Sequence, residues 1–183
     1  MVDKKVIQIS RWCALSAVVL MVSFLVMISI APSSSVGVLL AIAGILILTP
    51  VFYALYLIHR SESAILSLAG FIIWFPAAAL DLASLLNHDN IMIYIIDCFI
   101  FSLPLMIFGF LAFKSDKMPN GISLMALLSG IFNLISGVAT LYNNKTIGMF
   151  TGMGGLVFML IWFTWLFFIL SENLLETKTT NLG

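Results

Sequence analysis

Two acids sit deep in otherwise apolar sequence, and they offer more chemistry than any other residues in the chain. Asp81 lies in the run Ala64–Leu86 and Asp97 in the run Ile91–Phe113. The tetrad Asn87-His88-Asp89-Asn90 joins the two runs. Counted from the middle of the tetrad, each acid is about eight residues along its segment, roughly 12 Å from the turn at 1.5 Å per helical residue. A hairpin of two helices therefore sets the acids at nearly the same depth. Carboxylates inside membrane segments are rare and costly, which makes them the first place to look for function. Two that share a low-dielectric site do not both ionise; they share a proton or hold a cation.

Their neighbours extend the site. Trp74, Ala77 and Ala78 precede Asp81 by one or two turns, and Ser84 follows it on the same face. Tyr94 is one turn from Asp97, and Cys98 is beside it. A later segment brings Asn133, Thr140 and Tyr142, with Thr151 of the last segment at similar depth. The candidate ion, proton or ligand site is Asp81, Asp97, Asn133, Tyr94 and Thr140. The competing reading is that each acid reaches interfacial water and only supports packing, since neither is at the bilayer centre.

Other chemistries find less support. His88 and Asp89 read as a solvated turn with Asx-type hydrogen bonds. Adding His88 to the two acids gives a sharper metal reading, but zinc takes three or four ligands, and neither HxxxH nor HExxH is present. No Gly-rich phosphate loop, GxSxG or nucleophile–base pairing occurs, so we expect no enzyme, no metal and no cofactor. The net charge is zero. Without a basic cluster to neutralise phosphates, no nucleic-acid partner is expected. Cys13 and Cys98 both lie in apolar runs, placed near opposite faces, and no disulfide between them is expected.

The elements that must position the acids follow from composition. Hydrophobic residues make up 62% of the chain and charged residues 9%. Mean hydropathy is +1.19. An ordinary soluble domain has about a quarter charged residues, so the solvent around most of this chain must be lipid. Six apolar segments reach the length of about 20 residues needed to span a bilayer: Trp12–Ile30, Val36–Ile58, Ala64–Leu86, Ile91–Phe113, Gly121–Tyr142 and Gly148–Leu170. Backbone groups in lipid must bond internally, so these runs are helices. Short connections make neighbours antiparallel, which predicts an all-α, six-helix transmembrane bundle forming one domain over 1–170. The polar tail Ser171–Gly183 is expected to fray beyond its first turn. The basic start and first apolar run read as a retained helix rather than a signal peptide.

Orientation follows from the basic residues. Lys4, Lys5, Arg11, Arg60, Lys114, Lys117 and Lys178 fall on one side and Lys145 alone on the other. This places both termini in the cytoplasm and the Asn-His-Asp-Asn turn outside. Small residues mark helix contacts: Gly37, Ala41 and Gly44; Gly148, Gly152 and Gly155; and Ala126, Ser129, Gly130, Asn133, Ser136, Gly137 and Thr140. Pro50, Pro76 and Pro104 sit near the middles of their segments and read as ordinary kinks. Trp12, Tyr53 and Tyr56 suit an interfacial belt. Trp162, Trp165 and the surrounding phenylalanines read as a lipid-facing belt or a partner surface. Asn144-Lys145-Thr146 matches a glycosylation acceptor in a loop too short to favour that use.

Three passages give the layout a family likeness. One is Tyr53-Ala54-Leu55-Tyr56 with Arg60 after it. The second is Gly109-Phe110-Leu111 followed by Lys114-Ser115-Asp116-Lys117-Met118-Pro119. The third is Gly121-Ile122-Ser123 leading to Gly130. Together they resemble the prokaryotic six-helix membrane protein family known as the domain of unknown function numbered 4386. The resemblance implies a prokaryotic cell-membrane protein of this fold and carries no activity and no site residue.

Two functions compete at this point. The leading expectation is a structural, accessory or interaction subunit, in contact with the lipid bilayer and with a partner membrane protein or a second copy. The alternative is a small transporter or receptor with a proton- or cation-binding pair, Asp81 and Asp97, near the outer face.

Overall fold

The computed structural model of the protein describes residues 4–31, 34–87, 90–115 and 118–179. These are helical throughout, without strands among the described residues. The helices are α1 (Lys4–Ile30), α2 (Ser35–Ile47), α3 (Thr49–His59), α4 (Ala64–Leu86), α5 (Ile91–Lys114), α6 (Asn120–Leu141) and α7 (Lys145–Thr179). Taking α2 and α3 together as Ser35–His59, six spans are long and apolar enough to cross a membrane.

The expected single segment Val36–Ile58 is broken at Leu48. Pro50 has no N–H to give to the Leu46 carbonyl and is tolerated in the first turn of the helix that follows. The Leu48 N–H steps back only to the Ile45 carbonyl, at 3.2 Å, and the helix resumes with Phe52 N–H on Leu48 O at 3.0 Å. The interruption is the single residue Leu48, which keeps a right-handed helical backbone (φ −75°, ψ −20°). Pro76 and Pro104 stay inside unbroken helices. Each still leaves one carbonyl, of Ile72 or Ile100, without its helical donor.

Three further bounds differ. α1 begins at Lys4 rather than Trp12, because nothing between them breaks a helix. α7 begins at Lys145 and runs to Thr179, so the tail is helical over most of the length expected to fray. Leu174, Leu175 and Glu176 are good helix formers, and neither Gly nor Pro interrupts them. Residues 180–183 lie outside the described residues.

Contacts divide the chain into two compact units, Met1–Ile58 with Phe163–Gly183, and His59–Trp162. In the first, α1 packs on α2. Leu48, Val51, Phe52, Leu55, Phe163 and Leu166 are almost wholly buried. Gly44 meets Leu20 loosely: an added Cβ would stand 3.7 Å from Leu20 Cβ. The Ser10 hydroxyl donates to the Pro50 carbonyl at 2.7 Å, tying α1 to the restart of α3.

In the second unit α5 is central, packed against both α4 and α6. Gly70 of α4 faces Phe108 of α5, and Trp74 meets Phe101 with ring centroids 6.1 Å apart. Advancing along α4 retreats along α5, so the pair is antiparallel. The α5–α6 register runs the same way, with Gly109 against Leu127, Gly130 against Ser102 and Met106, and Gly137 against Cys98. α6 and α7 are joined by hydrogen bonds, Ser129 to the Gly155 carbonyl at 2.8 Å and Ser136 to the Gly148 carbonyl at 2.7 Å.

The turn between α6 and α7 uses two asparagines differently. Asn143 adopts φ 57°, a left-handed conformation that asparagine tolerates better than most residues. Its N–H bonds Thr140 O at 3.0 Å, and the Asn144 N–H bonds Ala139 O at 2.8 Å. That pairing is a Schellman closure of α6. The Asn144 side chain then caps α7 by accepting from the Ile147 N–H at 3.2 Å. The asparagine of the Asn144-Lys145-Thr146 match thus serves as a helix cap.

Candidate functional site

Asp97 lies on the inward face of α5, with 8% of its surface exposed. Its neighbours on that face, Ile95, Cys98 and Phe101, are buried as well. Among the described residues no donor is placed to bond its Oδ1, which is fully covered. A bare carboxylate oxygen in an apolar interior is expensive unless a proton or cation meets it. Asp81 of α4 is within electrostatic reach of Asp97. It is half-buried, two turns beyond Trp74 and one beyond Ala77, both fully buried.

Tyr94 is one turn along α5 from Asp97. Its hydroxyl is 2.8 Å from Ser136 Oγ. Ser136 has one proton, and it donates that to the Gly148 carbonyl at 2.7 Å. The Tyr94 hydroxyl is therefore the donor to Ser136. Cys98 is buried beside Asp97 on the same face of α5. The Tyr94 and Ser136 bonds make a fixed chain from α5 through α6 to α7. Gly152 leaves the room for it: an added Cβ would sit 3.2 Å from Ser136 Oγ and 3.4 Å from the Tyr94 hydroxyl.

The remaining candidates are placed elsewhere. Asn133 donates to Ser129 O of its own helix at 3.0 Å and packs against Gly155. Thr140 packs over Gly148, whose added Cβ would be 2.8 Å from its hydroxyl oxygen. Neither is seen bonding an acid; both serve the α6–α7 seam. Tyr142 is 80% exposed and does not complete a pocket, since it follows the last residue of α6. Thr151 spends its hydroxyl on Ile147 O at 2.7 Å and Gly148 O at 3.2 Å, both in its own helix.

The tetrad supplies a cap, Asn90 Oδ1 accepting from the Met92 and Ile93 N–H groups. His88 and Asp89, and with them the metal reading, lie outside the described residues. Among the described residues no three His, Cys, Asp or Glu side chains are grouped to hold a metal.

Two positions carry more than their sequence context suggested. Ser136 was legible only as one member of a small face, yet it links three helices; its spacing from Asn133 and Thr140 was the available signal. His59, placed by its sequence in a polar loop, is fully buried at the end of α3. Its Nδ1 is 3.7 Å from Glu62 Oε2, and its ring lies 6.4 Å from that of Phe108.

The aromatic face of α7 also differs from expectation. Trp162, Phe163 and Leu166 are buried, and only Trp165 and Phe168 of that stretch are substantially exposed. Trp12 and Tyr53 are exposed, as an interfacial belt requires. No family model, curated protein or solved structure matches this chain.

Proposed function

We propose that this is a multi-pass membrane protein, not an enzyme, whose Asp81–Asp97 pair binds a proton or a monovalent cation. The reading fits a small transporter or receptor. One observation carries it: Asp97 Oδ1 is fully covered and receives no hydrogen bond from any described residue, while a second carboxylate stands within electrostatic reach. A purely structural acid at this depth would be expected to bond a hydroxyl or amide. Here the Tyr94 hydroxyl is spent on Ser136, and the Ser136 hydroxyl on the Gly148 carbonyl. The rival reading, an accessory subunit docking through an aromatic last helix, loses part of its surface to the burial of Trp162 and Phe163. Both termini in the cytoplasm, a prokaryotic cell membrane and a six-helix bundle complete the proposal, supported by the seven-to-one distribution of basic residues and by the family resemblance.

The test is thermal stability in lipid nanodiscs as pH and cation are varied, for the wild type, Asp97→Asn and Asp81→Asn. With a proton in the site, the folded state binds more protons than the unfolded one, so the melting temperature falls as pH rises. With a cation, it rises with Na⁺ or K⁺ at fixed pH. Asp97→Asn should keep the fold and flatten either response, and Asp81→Asn should weaken it. A wild type indifferent to pH, Na⁺ and K⁺ would sink the proposal.

A further inference from the structure

A second charged group, far from the acids in sequence, has a covered nitrogen without a hydrogen-bond partner among the described residues. Arg11 stands one residue before the apolar run Trp12–Ile30. Its guanidinium lies 4.4 Å from the centroid of the Phe167 ring and 5.4 Å from that of Trp12. The two rings meet edge to face at 5.7 Å, so α1 and α7 hold the guanidinium between them. Its Nε is covered and receives no hydrogen-bond partner. Among the residues whose side chains are described, no acid pairs with it.

Ring contacts satisfy the faces of a guanidinium and leave its in-plane donors unspent. Arg11 is half-buried, and with Nε covered, its exposed part includes the terminal nitrogens of the fork. A planar fork held this way matches a phosphate diester geometrically and electrostatically. Trp12, 52% exposed beside it, is the kind of residue that settles among headgroups. Lys4 lies two turns toward the N-terminus on the same face of α1 and adds to the local positive potential.

We infer that Arg11, gripped by Trp12 and Phe167, is a seat for the phosphate of an anionic lipid in the leaflet where α1 begins. The seat is separate from the carboxylate pair. It would fix the α1–α7 contact to the lipid surface.

The probe is lipid-specific quenching of tryptophan fluorescence in nanodiscs, comparing brominated phosphatidylglycerol with brominated phosphatidylcholine. The wild type should be quenched more by the phosphatidylglycerol, and this excess should vanish in Trp12→Phe, which identifies the reporter. Arg11→Gln should lose the excess. Arg11→Lys, which keeps the charge but not the fork, should retain only part of it and guards against a folding defect in the first variant. Equal quenching by the two lipids in the wild type overturns the inference. So does an excess abolished by millimolar inorganic phosphate, which would make the seat a free-anion site. The third overturning outcome is an excess that appears only in Glu172→Gln or Glu176→Gln, which would make the chain's own acid the natural partner of Arg11.

Discussion

The α6–α7 seam and the α1–α2 contact solve the same problem with different chemistry. Along the seam, serine hydroxyls cross to carbonyls of the opposite helix at Gly148 and Gly155. The glycines leave no slack: added Cβ atoms would meet Thr140 at 2.8 Å and Asn133 at 3.2 Å. At α1–α2, Gly44 faces Leu20 with ordinary van der Waals room. In lipid there is no hydrophobic drive between helices, so contacts depend on close packing and interhelical hydrogen bonds. The unit that holds Asp97 uses both. The other unit relies mainly on aliphatic and aromatic burial, with Ser10 to Pro50 as a polar tie. The close-packed, hydrogen-bonded contacts thus lie in the unit that holds both acids.

The largest effect that sharpens the contrast between the two units is a methyl group added in each, at Gly44 in the first and at Gly130, where α6 meets α5, in the second. In Gly130→Ala the new Cβ would fall 2.6 Å from Met106 Cγ and 3.0 Å from the Ser102 carbonyl. The second of these is backbone and cannot swing away. Overpacking of this kind typically costs about 1–3 kcal/mol. Gly44→Ala meets nothing closer than 3.7 Å and should be neutral or gain up to about 0.5–1 kcal/mol from helix propensity. Unfolding in mixed detergent micelles with increasing dodecyl sulfate would measure both. Equal losses at the two sites would break the comparison.

A smaller effect tests the hydrogen bonds themselves. Ser136→Ala removes the acceptor of the Tyr94 hydroxyl and a donor to Gly148 O. Gly148 O keeps Thr151, so Tyr94 bears most of the loss. Interhelical bonds in membranes contribute roughly 0.6 kcal/mol each, rarely above about 1.7, and two are lost here. We therefore expect about 1 kcal/mol for Ser136→Ala and about half of that for Tyr94→Phe. The double variant should fall short of the sum, because both changes remove the same bond. Ser10→Ala, losing one bond, should match Tyr94→Phe. A Ser136→Ala variant as stable as wild type would show that packing alone holds the seam.

Much of this architecture was readable from residue types, for reasons that can be named. Six apolar runs of membrane length admit only helices, so the spans were visible without any tertiary information. The small residues of α6 marked its helix contacts, with Gly130 and Gly137 against α5 and Ser129 and Ser136 against α7. The interruption at Leu48 was less visible, since Pro76 and Pro104 are tolerated within helices and only Pro50 follows an interruption. Sequence also showed which residues could reach the acids, but not where their hydrogen bonds go. Asn133, Thr140 and Thr151 had the right depth and chemistry, and each is drawn to a carbonyl or glycine surface beside it. His59 was hidden by its flanking residues: Arg60, Ser61 and Glu62 are polar, and burial comes from Phe108, distant in sequence.

The smallest effect concerns the turn that closes the seam. Asn143 holds φ 57°, and its N–H with that of Asn144 completes the Schellman pairing onto Thr140 and Ala139. Glycine is the residue that most readily adopts this conformation. Asn143→Gly therefore relieves a small backbone strain in the folded state while loosening the unfolded chain, and these oppose each other. We expect a net change within about 0.5 kcal/mol of zero. Asn143→Ala has the same backbone demand without the local tolerance of asparagine, and should lose roughly 1 kcal/mol. If the seam sets the register of α6 against α7, the glycine variant should leave the Tyr94–Ser136–Gly148 chain intact. Its pH and cation response should then equal that of wild type. A glycine variant with normal stability but an altered response would instead make the turn, and not the serine bonds, the element that fixes the helices around Asp97.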